Sequence, residues 1–221
     1  MKIRNLAMAI ALTTALFSCG EKKCEKSCCK EDYEALANQY AKVTLTTDIS
    51  HLSDNEVKML GYLFEAGQIM DDIYWTENFG GDKNEFLSKI ENPNARKYAE
   101  INYGPWDQLD NRRVFISGYG PKPDGAGFYP TDMTKEEFEA WENPDKTSQY
   151  TLVRRYADGS LHAIWYHEAY AEQINKAADL LIKASELAAD KEFAEYLRLR
   201  ATALLTDEVD VVVTDIHPSH V

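Results

Sequence analysis

Apolar and polar positions follow a helical period over most of this chain. The clearest case is SDNEVKMLGYLFEAGQIMDDIYW, where Met59, Leu60, Leu63, Phe64, Gly67, Met70, Ile73 and Tyr74 recur along one face. Ser53 with Glu56 three residues on makes a capping box and predicts where that helix starts. Gly67 is costly inside a helix, so its expected use is close approach to a neighbour. Asp82 to Ile90 reads as a short amphipathic helix. Asn92-Pro93 opens another, with proline at the first turn where a missing N–H does no harm, carrying Ala95, Tyr98, Ala99 and Ile101. Thr134 with Glu137 repeats the capping-box pattern and predicts a helix through Trp141, stopped by Asn143-Pro144.

The period then changes. QYTLVRRYADGSLHAIWYH holds two β-rich runs around Ala157-Asp158-Gly159-Ser160, which predicts a hairpin with glycine free to take positive φ. From Glu168 to Ala189 the helical period returns, with Ile174, Ala177, Ala178, Leu181, Ile182 and Ser185 near one stripe. Asp190 breaks and restarts it for a last helix through Leu205, so these two helices form an αα-hairpin. The fold class is mainly α with a small β-hairpin, α+β.

Between these segments lies YGPWDQLDNRRVFISGYGPKPDGAGFYPTDMT, rich in glycine, proline and aromatics and without a sustained period. So long an irregular stretch is uncommon in a compact domain. Its aromatics, Tyr103, Trp106, Phe115, Tyr119, Phe128 and Tyr129, argue for order, since they can be buried. Two readings stand: a ligand-contacting surface, or a loop pinned to the core by its rings.

The N-terminus adds an address. Lys2 and Arg4 precede a mostly apolar run from Leu6 to Phe17, too short to span a bilayer comfortably, which reads as a secretory signal over residues 1–18. Leu16-Phe17-Ser18-Cys19 resembles a bacterial lipobox, with cleavage before Cys19 and lipid on its thiol, although Phe17 is larger than the usual residue there. This implies a membrane-anchored lipoprotein of the bacterial cell envelope; a soluble exported protein is the alternative. Residues 19–44 read as the tether. Cys24, Cys28 and Cys29 sit in its charged part, where C-x3-C-C is a weak metal or disulfide signal and a solvated linker is the plainer reading. Formal net charge is −13, and removing residues 1–18, with two cations and no acid, takes it to −15. That balance argues against a nucleic-acid partner. The remainder is long enough for one compact domain, placed at residues 45–207, with 208–221 as a divergent tail.

WYHEAYAEQI holds a second feature near a metal motif. H-E-x-x-H chemistry needs two histidines one turn apart on a helix, with glutamate as base. Four residues after His167 stands Ala171, and five after stands Glu172; His162 lies on the predicted strand. The residues therefore read as a strand-to-helix junction, with Glu168 favoured at a helix N-terminus by the dipole. No phosphate loop and no Gly-x-Ser-x-Gly occurs.

SDNEVKMLGYLFEAGQIMDDIYW, INYGPWDQLDN, GYGPKPDGAGFYPTDMTKEEFEAW and WYHEAYAEQINKAADLLIKASELA…YLRLRATALLTD, taken in order, resemble the N-terminal part of bacterial dipeptidyl peptidase III-like zinc hydrolases, over about residues 45 to 207. The resemblance implies the helical lobe of a two-lobed metallopeptidase that removes dipeptides from peptide N-termini. It implies zinc held elsewhere, by an H-E-x-x-x-H helix and a later E-E-x-x-x-E/D helix; neither motif occurs in this sequence. The expectation is a substrate-side lobe without catalytic or metal residues of its own, inactive alone, from a truncated or frame-shifted gene. Tyr103, Trp106, Phe128 and Tyr129 are its candidate substrate-facing residues. The alternative is a stand-alone envelope lipoprotein that binds a peptide or a protein partner through the aromatic loop.

Overall fold

The computed structural model describes residues 31–208. The helix read at Ser53 is α2, Asp54–Phe79, and its box is complete: Ser53 Oγ accepts from Glu56 N at 3.3 Å while Glu56 accepts from Ser53 N at 2.7 Å. It follows α1, Tyr33–Asn38, and precedes α3, Lys83–Ser88, and α4, Pro93–Asn102. Asp82 and Asn92 cap α3 and α4 through their side-chain oxygens, as short polar residues do at helix starts. Two short strands, β1 (Trp106–Asp107) and β2 (Arg113–Val114), come next, then α5, Lys135–Ala140. The predicted hairpin is β3, Thr151–Arg155, and β4, Leu161–Trp165, in antiparallel register from Thr151–Trp165 to Arg155–Leu161. Gly159 takes φ 87° in its turn. The chain closes through α6, Tyr166–Ala169, α7, Ala171–Leu187, and α8, Lys191–Thr206, the last capped by Asp190.

Two cores share α2. Ala66, Ile69 and Ile73 face α7, where Ile174, Ala177 and Leu180 meet them together with Leu152 and Tyr170. Alanines at 66, 177, 178, 184 and 201 are buried, and such small residues let helices approach closely. Further along, Trp75 turns to the other side of α2 and joins Phe86, Ile90, Ala95, Tyr98, Ala99 and Phe115. Among the described residues no helix is long and apolar enough to cross a membrane.

Several expectations are corrected. Phe64 and Tyr74 lie largely outside the buried face, at 76% and 49% exposure, because α2 buries one side against α7 and, through Trp75, a different side in the cluster of Phe86 and Tyr98. Gly67 makes no close approach: a Cβ there would meet nothing within 4 Å. The glycine that does is Gly127, where a Cβ would lie 2.6 Å from Thr76 O and 2.8 Å from Glu77 O. Thr134 caps α5, but Glu137 does not return to complete a box; its carboxylate takes two bonds from Arg155, at 2.6 and 2.7 Å. The helix read as continuous from Glu168 is interrupted at Tyr170 (φ −119°, ψ 32°), whose ring is buried in the first core. Finally, the span read as tether, 19–44, contains α1, with Ala37 buried and the Tyr33 hydroxyl donating to Phe115 O at 2.9 Å.

Candidate functional site

The long loop earns its order from named contacts. Asn102, itself buried, accepts from Gln108 N at 2.9 Å and donates to Tyr98 O at 2.9 Å. The buried Asp107 carboxylate accepts from Tyr98 Oη at 2.7 Å and from the N–H groups of Leu109 and Asp110 at 3.0 and 3.1 Å, so one acid folds the turn between β1 and β2. Burial, with Asp107 beside it, pushes the Tyr98 hydroxyl pKa up. At its far end the loop returns to α2, where Gly127 N donates to Glu77 O at 2.7 Å. It then runs beside β3, where Val153 N donates to Phe128 O at 2.9 Å. Arg154 holds both carbonyls, Gly127 O at 2.9 Å and Phe128 O at 3.1 Å.

Within this frame the four loop aromatics do not share a surface. Tyr103 ends α4 in the left-handed conformation (φ 52°), its ring against Tyr74 and Trp75 and its hydroxyl donating to Asp71 at 2.6 Å. That bond, with burial, pushes its pKa up to about 12. Trp106 is 5% exposed, with Nε1 donating to Gly120 O at 2.9 Å and Lys122 over its ring. Phe128 packs against the α2–α7 core. Tyr129 alone of the four lines an open groove of about 400 Å³, together with Pro123, Pro130, Met133 and Phe138, its ring edge-on to Phe138 at 5.8 Å. Cys19, Cys24, Cys28 and Cys29 lie outside the described residues.

His167 has a partner that sequence reading missed. Its Nδ1 lies 2.8 Å from Asp207 Oδ2, and the same oxygen accepts from His167 N at 3.1 Å. Glu168 is exposed, 4.0 Å from Nε2. His162 stacks on Tyr156, centroids 3.8 Å apart. Forty residues separate His167 from Asp207, so no local signal could have paired them.

A second space, half open, went unread in the sequence. It is a chamber of about 240 Å³ between α2, α6, α7 and α8, walled mostly by hydrocarbon and tyrosine rings, with Glu77 in its wall. Burial pushes the Glu77 carboxyl pKa up, and Tyr166 partly offsets that. Burial also pushes up the hydroxyl of Tyr166, and that of Tyr170 to about 12. Glu77 Oε1 and Tyr170 Oη are buried without a hydrogen-bond partner.

With this geometry in hand, comparison with known proteins places the fold. The described residues form an α+β lobe that resembles part of dipeptidyl peptidase III. The solved structure of DPP III from Caldithrix abyssi is similar at a TM-score of 0.76 and 35% identity, over 84% of this chain and 38% of that one. That of dipeptidyl-peptidase III from Corallococcus sp. strain EGB is similar at 0.75 and 27%, over 81% and 36%. Nudix hydrolase 3 of Arabidopsis thaliana is 26% identical over 233 aligned positions, 77% of this chain and 30% of that protein. The chain thus spans little more than a third of the length of the solved relatives, and less than a third of the plant protein. No protein-family model matches it.

Zinc, which the sequence resemblance implies, does not fit the residues described. Among them no three His, Cys, Asp or Glu side chains are grouped to hold a metal ion. His167, the nearest to a ligand motif, meets Asp207 through Nδ1, which leaves Nε2 free, but no second and third ligand are grouped with it.

Proposed function

We propose that this chain is the substrate-side lobe of a dipeptidyl peptidase III-like metallopeptidase, without hydrolytic activity of its own, held at a bacterial envelope membrane by lipid on Cys19. The observation that carries this reading is the match in fold to two DPP III structures across most of the chain. The groove beside Tyr129 supports it. It is open, apolar along Pro123, Pro130, Met133 and Phe138, and flanked by Asp124 and Lys135, a surface that suits an extended peptide. The zinc ligands would come from outside residues 31–208, since the sequence holds no H-E-x-x-x-H.

Two experiments test it. Purified chain with added zinc should release no dipeptide from a dipeptidyl arylamide; zinc-dependent turnover would overturn the inactive-lobe reading. In a bacterial host the protein should fractionate with membranes, and Cys19→Ala should move it to the soluble fraction. An unchanged distribution would end the lipid-anchor reading.

A further inference from the structure

We infer that residues 209–213, Val-Asp-Val-Val-Val, seat on the open edge of β4 as a third strand, antiparallel to it. The inference is independent of the peptidase-like reading, because it uses only the hairpin, the end of α8 and the sequence that follows.

The hairpin leaves that edge bare. Tyr156 N donates to Ser160 O at 2.8 Å and Tyr166 N to Tyr150 O at 2.9 Å, at the two ends of the register. Bonded and non-bonded positions alternate in an antiparallel pair, so His162 and Ile164 turn their amides and carbonyls toward β3. Leu161, Ala163 and Trp165 turn theirs away. The matching outer side of β3 is covered, since Val153 N donates to Phe128 O at 2.9 Å. On β4 no described residue bonds the amides of Leu161, Ala163 and Trp165, or the carbonyls of Leu161 and Ala163. Among the described helices and strands only β3 and α6, which continues from it, pack against β4. The strand is half-buried throughout and holds no lysine, acid or proline, the residues that keep natural edges from pairing.

The occupant is named by where α8 delivers the chain. Asp207 ends α8 in the left-handed conformation (φ 58°), and its Oδ2 accepts from His167 N at 3.1 Å. His167 lies just beyond Trp165, so the chain after Asp207 starts at the C-terminal end of β4. From there the edge can be followed only back toward Leu161, which makes the pairing antiparallel. Length agrees: a run of five residues, at about 3.3 Å each, matches the five of β4. So does composition, because Val209, Val211, Val212 and Val213 are β-branched. A two-stranded hairpin is marginal alone, and a third strand stabilises it. With its edge taken, β4 has no place for an incoming extended peptide.

The test is amide exchange, followed by NMR on the isotope-labelled full chain. The Ala163 and Trp165 amides should be protected, and close Hα contacts should join His162 and Ile164 to residues 209–213. Val211→Pro combined with Val212→Pro removes tail donors in either register. That double variant should exchange Ala163 and Trp165 about tenfold or more faster, while His162 and Ile164 stay protected by β3 and report that the fold is intact. Unprotected Ala163 and Trp165 in the unaltered chain would overturn the proposal. So would protection that survives the double change, or protection that rises with protein concentration, as a second copy on the edge would give.

Discussion

One helix, α2, serves two cores that hold together in different ways. Around Ile174 the contacts between α2 and α7 are mainly aliphatic and small: Ala66, Ile69, Ile73, Ala177 and Leu180 mesh there, with the Tyr170 ring at their edge. Around Tyr98 the core is aromatic, and hydrogen bonds set it. Tyr98 is fully buried yet spends its hydroxyl on the buried Asp107, which in turn folds the next loop. The first core tolerates volume-conserving change, as aliphatic interiors generally do. The second couples packing to a buried polar network, where losing one member strands the others.

That difference can be broken by substitution. Trp106→Ala should have the largest effect, roughly 3–5 kcal/mol in chemical denaturation, because it empties a buried ring site and frees Gly120 O. It follows that Trp106→Ala cannot serve as a probe of ligand contact; Tyr129→Ala, which removes a half-buried ring paired with Phe138, should cost only about 1–2 kcal/mol and can. Gly127→Ala should cost about 1–3 kcal/mol, since α2 or the loop must shift to admit a methyl against two carbonyls. Tyr98→Phe should also cost about 1–3 kcal/mol, by leaving the Asp107 carboxylate one donor short; a loss near zero would mean that water replaces the hydroxyl. The smallest effect has the opposite sign. Gly67→Ala should stabilise by about 0.5–1 kcal/mol, because that helix position is open and alanine is the better helix former.

The same contrast explains what was legible beforehand. The helical core could be read because its signals are local: Ser53 with Glu56, the Asp190 cap and the apolar spacing through Ile174 and Ala177 all act within one or two turns. The aromatic core could be seen to want burial but not to fold in any particular way. Its organiser, Asp107, is one acid among many until Tyr98 is placed against it. Glu137 misled for a related reason: the sequence offered it to Thr134, and Arg155, eighteen residues on, took it. α1 carried a helical signal in Tyr33, Leu36, Ala37 and Tyr40, but it lay in a span read as tether. Among the candidate site residues, spacing alone could not show that Tyr103, Trp106 and Phe128 pack inward while Tyr129 lines a groove. Glu77 did carry a signal that went unused: it continues the stripe of Met70, Ile73 and Tyr74 at helical spacing, a carboxylate on the face read as apolar.

Glu77 also joins two parts of the molecule through one residue. Its side chain stands in the chamber while its carbonyl receives the Gly127 amide from the long loop. Anything that nudges this turn of α2 must therefore be felt in β3, whose Val153 amide hangs on the neighbouring Phe128 carbonyl. In hydrogen-exchange measurements the amides of Gly127 and Val153 should consequently open as one unit.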